Sequence, residues 1–585
     1  VVALRHAAPV EPPRSAGGGV VVGGMSALLP AGAASRPLAG RMAACGCDAV
    51  GEVPAARWDV GGLRALPEPV SSRVRHGGFV RGAELADHAA FALSPAEAAA
   101  MDPCQRLLLE RGYAALHAAA LDRAALGGSL TGVFVGFGGT EFGQLLAASP
   151  AGGSVYAATG SSVSIAAGRL SYALGLHGPC ATYDTACSAA LVACHAGLRA
   201  LQRAECAAGV AAGATLLLAP TTSTSFAVAG MTSARGRSHT FDARADGYAR
   251  GEACGAAALR TSVGESSSLR LLGGAVRQDG RSASLTAPNG QAQQGLLATA
   301  YGDAGTSADA LALHEAHGTG TALGDPIEVG SLAAVALSRR SEGPPLAVGG
   351  VKANIGHAEP AAGMTGLVKL SLGLWDGGGA VPPNAQLRVL NPHVDATRKI
   401  GTATQLVGLS HKVHFVLGGV SSFGYSGTIA HTLLMHSVTD SELQRKEEST
   451  QQLVWPVPLV YQRRNLPWNE AKANVPIQEC MLTYVACWQI ALPPAGMGAE
   501  EASWMLVQMP SPQGSGSVEG DGFIAELASA GGPFPPPFTS PSGVALLLSA
   551  SSSLAPRLDG IGAAPALVHS LVCCAPSSPL LLLTR

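Results

Sequence analysis

Two apolar patterns alternate along most of this 585-residue chain. One is a short run bounded by glycine. The other is an Ala/Leu-rich stretch whose larger residues recur every three or four positions. The first pattern predicts strands at 20–22, 131–139, 180–183, 209–218, 269–276, 346–352, 413–420 and 429–434. The second predicts helices. Ser94 with Glu97 three residues on makes a capping box, Pro103 interrupts, and a helix resumes over 105–116. Further helices are expected over 161–176 and 361–374, and another after residue 187, where Leu191, Cys194, Leu198 and Leu201 share a face. Asp325, Pro326 and Glu328 carry the N-cap, N1 and N3 signals of one more.

The residues with chemistry fall at the joints between these patterns. Cys187 lies in DTACSAA, 184–190, between an extended segment and a helix. With Thr185 as N-cap, Cys187 stands in the first helical turn, where unpaired N–H groups and the positive dipole end favour a thiolate. A thiolate is a nucleophile; the plainer reading is a buried structural cysteine, as most free cysteines are. His317 sits in HGTGT, a loop between a strand and the Asp325 helix. It is read either as a turn histidine bonded to backbone or as a catalytic imidazole. His357 ends VKANIGH just before the 361–374 helix, and Lys352 lies five residues earlier. Two histidines and a cysteine, each at a similar turn in a separate αβ unit, point to one shared site. Backbone N–H groups of the loop 421–428 (SSFGYSGT) can supply half of an oxyanion hole. The G-x-G after the 131–139 strand has its third glycine misplaced and no acidic ribose partner, so it reads as a tight turn.

Composition narrows the functional class. A 47% hydrophobic and 13% charged chain suits a large buried core, and 75 glycines suit close helix packing and glycine loops. A net charge of −2 and 5% aromatic residues argue against a nucleic-acid surface. The twelve cysteines have no metal-ligand spacing, and His314-Glu315 does not complete an H-E-x-x-H, so no metal is expected. A reducing compartment with free thiols is the resulting expectation. No run of eighteen apolar residues occurs, so no membrane span is expected. The chain begins at Val1, so targeting is not legible; cytoplasm or organelle stroma is the expected setting.

The character changes after about residue 436. Residues 439–450 are polar and charged, as in a linker. Residues 453–468 (LVWPVPLVYQRRNLPW) read as an extended strip laid on the domain. The tail from 471 is rich in Pro, Ser, Gly and Leu without periodicity, and 531–541 (GGPFPPPFTSP) reads as disordered or polyproline.

Taken together, DTACSAA, EAHGTGT-x-x-GDPIE, VKANIGH and VSSFGYSGT resemble the ketosynthase domain of polyketide synthases, in the β-ketoacyl synthase family. MDPCQRLLLE, FDARADGYARGE and LTAPNGQAQQ match as well, and the resemblance spans about residues 19–436. It implies a thiolase-like α/β fold with two similar βαβ-rich halves, 19–260 and 261–436, in αβαβα layers, usually as a homodimer. An irregular leader (1–18), a linker (437–470) and an unassigned, partly disordered tail (471–585) complete the expected organisation. The resemblance assigns Cys187 as the acyl-accepting nucleophile and His317 and His357 as the pair that binds and decarboxylates the extender. Lys352 supports the histidine network. The backbone N–H groups of Cys187 and Tyr425 form the oxyanion hole, and Phe423 and Tyr425 gate the acyl pocket. No cofactor is implied. The expected partner is an acyl carrier protein bearing phosphopantetheine thioesters, in trans or from a longer synthase, since neither a G-H-S-x-G elbow nor a D-S-L carrier serine is present.

The chain departs from the family at a few positions. Cys104 stands for Gln, Ala253 for Gly, Tyr425 for Phe, and Ile429 for the Asn of GTNAH, which normally helps hold the glycine loop. The motif wording favours polyketide over fatty acid chain elongation. Ile429 is the support for a non-catalytic, carrier-binding scaffold; intact Cys187, His317 and His357 count against it. A thiolase-type degrader would carry a second cysteine, and the loop 418–428 has none.

Overall fold

The computed structural model describes residues 19–139, 141–261, 269–337, 346–375, 380–395, 400–402, 407–408, 415–437 and 459–468, and three short strands further on. The expected leader, the 439–450 linker and the Pro-rich 531–541 segment lie outside the described residues. The chain divides into two units, Val1–Val475 and Pro476–Arg585. In the second, Trp504–Gln508, Gly543–Leu548 and Leu580–Thr584 form a parallel three-stranded sheet.

The first unit is built on eleven strands: β1 (Val20–Leu28), β2 (Gly132–Gly136), β3 (Cys180–Tyr183), β4 (Ala208–Thr215), β5 (Ala253–Thr261), β6 (Leu269–Gln278), β7 (Leu311–Glu315), β8 (Leu346–Gly349), β9 (Ile400–Thr402), β10 (Phe415–Phe423) and β11 (Thr428–Ser437). Their order is β9-β8-β7-β10-β11-β6-β1-β5-β4-β2-β3. The order holds a repeat. In one half β3, β2 and β4 run parallel, and β5 and β1 follow antiparallel. In the other, β8, β7 and β10 run parallel, and β11 and β6 follow antiparallel. The halves meet where Val20 and Val21 pair with Leu271 and Arg270; β9 extends the second half beside β8.

The helices explain the layering. α1 (Pro103–Ala118) and α3 (Gly290–Ala304) cover the outer faces, α1 on β1, β4 and β5, and α3 on β6 and β11. α2 (Ala189–Gln202) follows β3. α4 (Gly324–Leu332) follows β7, and the single turn α5 (Lys352–Ile355) with α6 (Ala362–Trp375) follows β8. α2 and α6 occupy equivalent places in the repeat and share one apolar cluster with strands of both halves. They touch at Gly363, where an added Cβ would lie 2.6 Å from Leu191 Cγ. α2 buries its Ala/Leu face there and leaves Val192, His195, Ala196 and Arg199 as a half-buried stripe, the pattern of an amphipathic helix. The result is helix, sheet, paired helices, sheet, helix: the thiolase-like αβαβα arrangement expected of the sequence.

Several local expectations need correction. The interruption is there, one helix ending at Ala100, but the next starts at Pro103 and not at 105, because Asp102 caps the Cys104 N–H at 2.7 Å and a proline at N1 lacks only a donor that has no helical partner anyway. The 161–176 helix is broken into Ala157–Ser161 and Ile165–Leu174. β8 ends at Gly349, and Lys352 opens a helical turn instead of closing the strand. Ser421–Phe423 belong to β10, so the glycine loop shrinks to a tight turn. Residues 459–468 do lie extended on the domain. Tyr461 donates its hydroxyl to the Glu110 carbonyl, Arg463 pairs with the Glu110 carboxylate at 2.8 Å, and Arg464–Asn465 ladder with Leu85–Ala86.

Candidate active site

Open α/β sheets place ligands beyond the carboxyl ends of their parallel strands. β3 and β8, equivalent in the repeat, each run into a turn that presents one residue there. After β3 this is Cys187. Ala186 adopts a left-handed conformation (φ 53°), which costs an alanine about 1 kcal/mol. The turn is braced by Ala186 N–H donating to Asp184 and by the Ser188 hydroxyl donating to the Thr185 carbonyl. The expectation that Thr185 caps the helix and Cys187 sits in its first turn is therefore corrected: α2 begins at Ala189, with Ser188 at its N-cap. Cys187 projects from a strained bend one residue before that cap.

After β8 the presented residue is His357. Its Nε2 lies 3.0 Å from Cys187 Sγ. His317, on the turn after β7, packs its ring at right angles to His357, with centroids 5.4 Å apart. All three sites come together where the paired helices begin. Backbone hydrogen bonds fix both tautomers. Phe423 N–H donates to His317 Nδ1 at 3.2 Å, and Glu359 N–H donates to His357 Nδ1 at 3.3 Å. A neutral imidazole has one donor and one acceptor, so Nε2 carries the hydrogen in each ring. Both rings are neutral because burial, reinforced by the Lys352 charge, holds them well below the ordinary histidine range.

The β10–β11 turn closes the site over the sulfur. Ser422 donates its hydroxyl to the Cys187 carbonyl at 2.6 Å. The backbone N–H groups of Cys187 and Tyr425 both bear on Sγ. Gly424 is required by closeness: a Cβ there would lie 2.4 Å from the Thr185 carbonyl oxygen. Ile429, in the family's asparagine position, is fully buried in an apolar cluster and offers the turn no polar group. The turn is held by other means. Gly424 N–H donates to Thr428 O, Asp279 N–H to Gly427 O, and Gln278 Nε2 to Ser426 O. Phe423 packs on the His317 ring at 5.4 Å, and Tyr425 is 46% exposed with its ring edge-on to Phe226.

Electrostatics also departs from the sequence expectation. Burial pushes the Cys187 thiol up to about 12, Glu359 adds to the rise, and Lys352 with the two N–H groups only partly offsets it. The resting sulfur is a thiol rather than the thiolate that a helix N-terminus alone would favour. Lys352 is buried, and burial lowers its pKa against the pull of Glu328, Glu315, Cys187 and Asp325. Those carboxylates are the residues the sequence reading missed. Asp325 and Glu328 were expected as caps of their own helix. Instead Glu328 accepts the N–H groups of His317 and Gly318 at 2.7 and 2.8 Å, and Asp325 accepts those of Phe241 and Gly320. They hold the His317 turn. The available signal was their spacing: Glu328 lies three residues after Asp325, one helical turn on, and so can face back on the same loop. Burial raises both, Asp325 to about 6.

The buried histidines set an acid limit on stability. His314, His317, His357 and His431 are all lowered, first by burial. Below an unfolded value of about 6.5 the unfolded chain takes up protons that the folded chain refuses, so stability is lost as pH falls. His76, His195 and His239 are lowered as well, and Asp279, Asp325 and Glu328 act oppositely, so among the described residues three groups stand against seven. The denaturant midpoint is expected to drop between pH 7 and 5; a midpoint that is flat or rises on acidification would contradict this.

Among the described residues no helix is long and apolar enough to cross a membrane, and no three His, Cys, Asp or Glu side chains are grouped to hold a metal.

Comparison with known proteins fits this geometry. Residues 18–263 match the β-ketoacyl synthase N-terminal domain and residues 269–388 its C-terminal domain. The spectinabilin polyketide synthase system protein NorC of Streptomyces orinoci is 39% identical over 437 residues, 73% of this chain and 19% of that protein. The pikromycin polyketide synthase component PikAII of Streptomyces venezuelae is 40% identical over 443 residues, 74% of this chain and 12% of that protein. The chain thus spans less than a fifth of either relative. A variant of the module 6 ketosynthase of the Bacillus subtilis 168 bacillaene synthase superposes with TM-score 0.66 at 30% identity, covering 72% of each chain. An oxazolomycin ketosynthase domain from Streptomyces albus JA3453 gives TM-score 0.66 at 30% identity, covering 72% of this chain and 75% of that one. With the repeat, the layers and both matched domains in place, the chain belongs to the β-ketoacyl synthase family, as a ketosynthase of the polyketide synthase kind.

Proposed function

We propose that the chain performs decarboxylative Claisen condensation in polyketide assembly, with Cys187 as nucleophile and His317 and His357 as the decarboxylating pair. Cys187 Sγ attacks a carrier-bound acyl thioester; an S–C bond forms, and the carrier leaves as a thiol with the cysteine proton. The N–H groups of Cys187 and Tyr425 bind the tetrahedral oxyanion. A malonyl-type thioester then loses carbon dioxide, and the enolate oxygen receives the Nε2–H groups of both histidines. Fixed donors in a dry site are worth several kcal/mol. The enolate carbon attacks the Cys187 ester, giving a β-ketoacyl thioester two carbons longer and freeing the sulfur, which regains a proton. Lys352, Asp325 and Glu328 act by positioning His317 and setting its neutral state. Phe423 and Tyr425 gate the acyl pocket.

The observation that carries this reading is the pair of neutral imidazoles whose Nδ1 atoms are occupied by backbone N–H donors, one ring 3.0 Å from the sulfur. Such rings donate, and a donor suits a developing enolate. The partner is an acyl carrier protein with a phosphopantetheine arm. Residues 438–458, between β11 and the extended strip, are too few for a catalytic domain, so no acyltransferase intervenes there. β3 is the outermost strand of the sheet, with exposed Cys180, and Leu130 and Tyr172 beside it are 63% and 86% exposed. An open edge with apolar neighbours supports a homodimer paired through β3; a monomer in sedimentation would remove that part.

The test is incubation with acyl and malonyl carrier thioesters, followed by mass spectrometry of Cys187 and measurement of carbon dioxide. Acyl-enzyme, carbon dioxide and a lengthened carrier product are expected. Acylation without condensation would replace this reading with a transfer or scaffold role.

A further inference from the structure

One polar residue packed on His357 has no part in the mechanism above. Tyr248 lies in the DGYARGE stretch and is only 9% exposed. Its ring stands edge-on against the His357 imidazole, with centroids 5.0 Å apart and planes at 77°. That imidazole contacts Cys187 Sγ at 3.0 Å. The segment carrying Tyr248 is bonded directly to the one carrying His357: His357 N–H donates to the Ala249 carbonyl at 2.7 Å, and Gly251 N–H to the His357 carbonyl at 2.8 Å. Tyr248 is further fixed by its own N–H to Met231 O and by its carbonyl, which accepts from Ser233 N–H. The phenol is therefore held rigidly relative to the reacting sulfur.

Its oxygen lies in the field of Cys187, Glu359, Arg250 and Tyr425. The neighbouring cation is already committed: Arg250 donates to both Glu359 carboxylate oxygens, to Glu141 and to the Ser223 hydroxyl. No described side chain or carbonyl is bonded to the Tyr248 hydroxyl, and it is not among the fully buried polar atoms left without a partner, so it opens onto accessible space. Such a hydroxyl loses its solvent when an acyl chain fills the site, and a chain that supplies an acceptor recovers that cost.

We infer that Tyr248 is a specificity-determining residue, whose hydroxyl donates to an oxygen on the β-carbon of the acyl chain esterified to Cys187. The ring packs on the imidazole that touches Sγ, so the hydroxyl meets the first carbons of that chain and not its far end. A chain oxygenated at the β-position satisfies the phenol; a saturated one leaves it desolvated and unpaired. A site holding a donor discriminates against the analogue that lacks the acceptor. This assignment rests on the condensation reading, and the experiment separates the two.

The whole chain and its Tyr248→Phe variant are each given 3-hydroxybutyryl and butyryl pantetheine thioesters, with both enantiomers of the former, and acylation of Cys187 is timed by mass spectrometry. The native protein should prefer one 3-hydroxy enantiomer over butyryl, and that ratio should fall about tenfold or more in the variant. An equal ratio in the two proteins overturns the assignment. So does an unchanged ratio accompanied by a raised KM for malonyl pantetheine, which would place the hydroxyl on the extender carboxylate. If neither thioester acylates the native Cys187, the condensation reading falls, and the assignment with it.

Discussion

Cys187→Ala is expected to take up no acyl group from any thioester, and its condensation rate should fall by about 10⁴ or more. The neighbouring cysteine offers no substitute. Cys194, on the α2 helix that follows, is buried in the apolar cluster, and burial pushes its thiol up to about 12 with no charged or hydrogen-bonding group to bring it down. Cys187 differs in its surroundings: an imidazole at 3.0 Å, two backbone N–H groups and Lys352 all favour negative charge on its sulfur. Those groups do little for the resting thiol and much for the thiolate that must form and leave. The variant should fold normally, since the side chain is small and the strained residue of the turn is Ala186. An acyl adduct on Cys187→Ala, located by peptide mapping elsewhere, would remove Cys187 from the reaction.

His317→Ala should separate the two half-reactions. Carbon dioxide release from a malonyl thioester is expected to fall about 10²–10³-fold, the usual cost of losing one preorganised donor to a developing oxyanion. Acylation of Cys187 should change little, because the ring touching the sulfur is that of His357. The variant also leaves Phe423 N–H without its acceptor, at about 1–3 kcal/mol of stability, so a denaturation midpoint should accompany the rates. Equal losses in acylation and decarboxylation would show that His317 acts on the pocket as a whole, contrary to the split roles proposed here. His357→Ala, by contrast, should impair both steps.

The candidate site residues could be picked out in the sequence because each stands at a short motif on the joint between an apolar run and a helical stretch. Cys187, His317 and His357 lie there, and so does the Gly424 turn. What those joints do electrically could not be read. A helix start next to Cys187 suggested a lowered thiol pKa; burial outweighs it, because desolvating a charge in a fully enclosed place exceeds the reach of one helix end. Asp325 and Glu328 looked like caps because a capping signal and a loop-clamping carboxylate use the same residue types at the same spacing. Only the path of the chain from β7 into α4 shows which N–H groups they meet.

Periodicity and glycine joints determined the alternating elements and marked Cys187, His317 and His357 as candidates, since these depend on residues near one another in the chain; the resemblance of the motifs supplied the two-part organisation and the roles proposed for those residues. The tertiary structure alone decided the tautomers, the neutrality of both rings, the place of Lys352 among three carboxylates, the support of the turn at Ile429 and the hydroxyl at Tyr248. Each of these depends on groups from distant segments meeting in a low-dielectric interior, where distance and burial, not sequence spacing, set the energy.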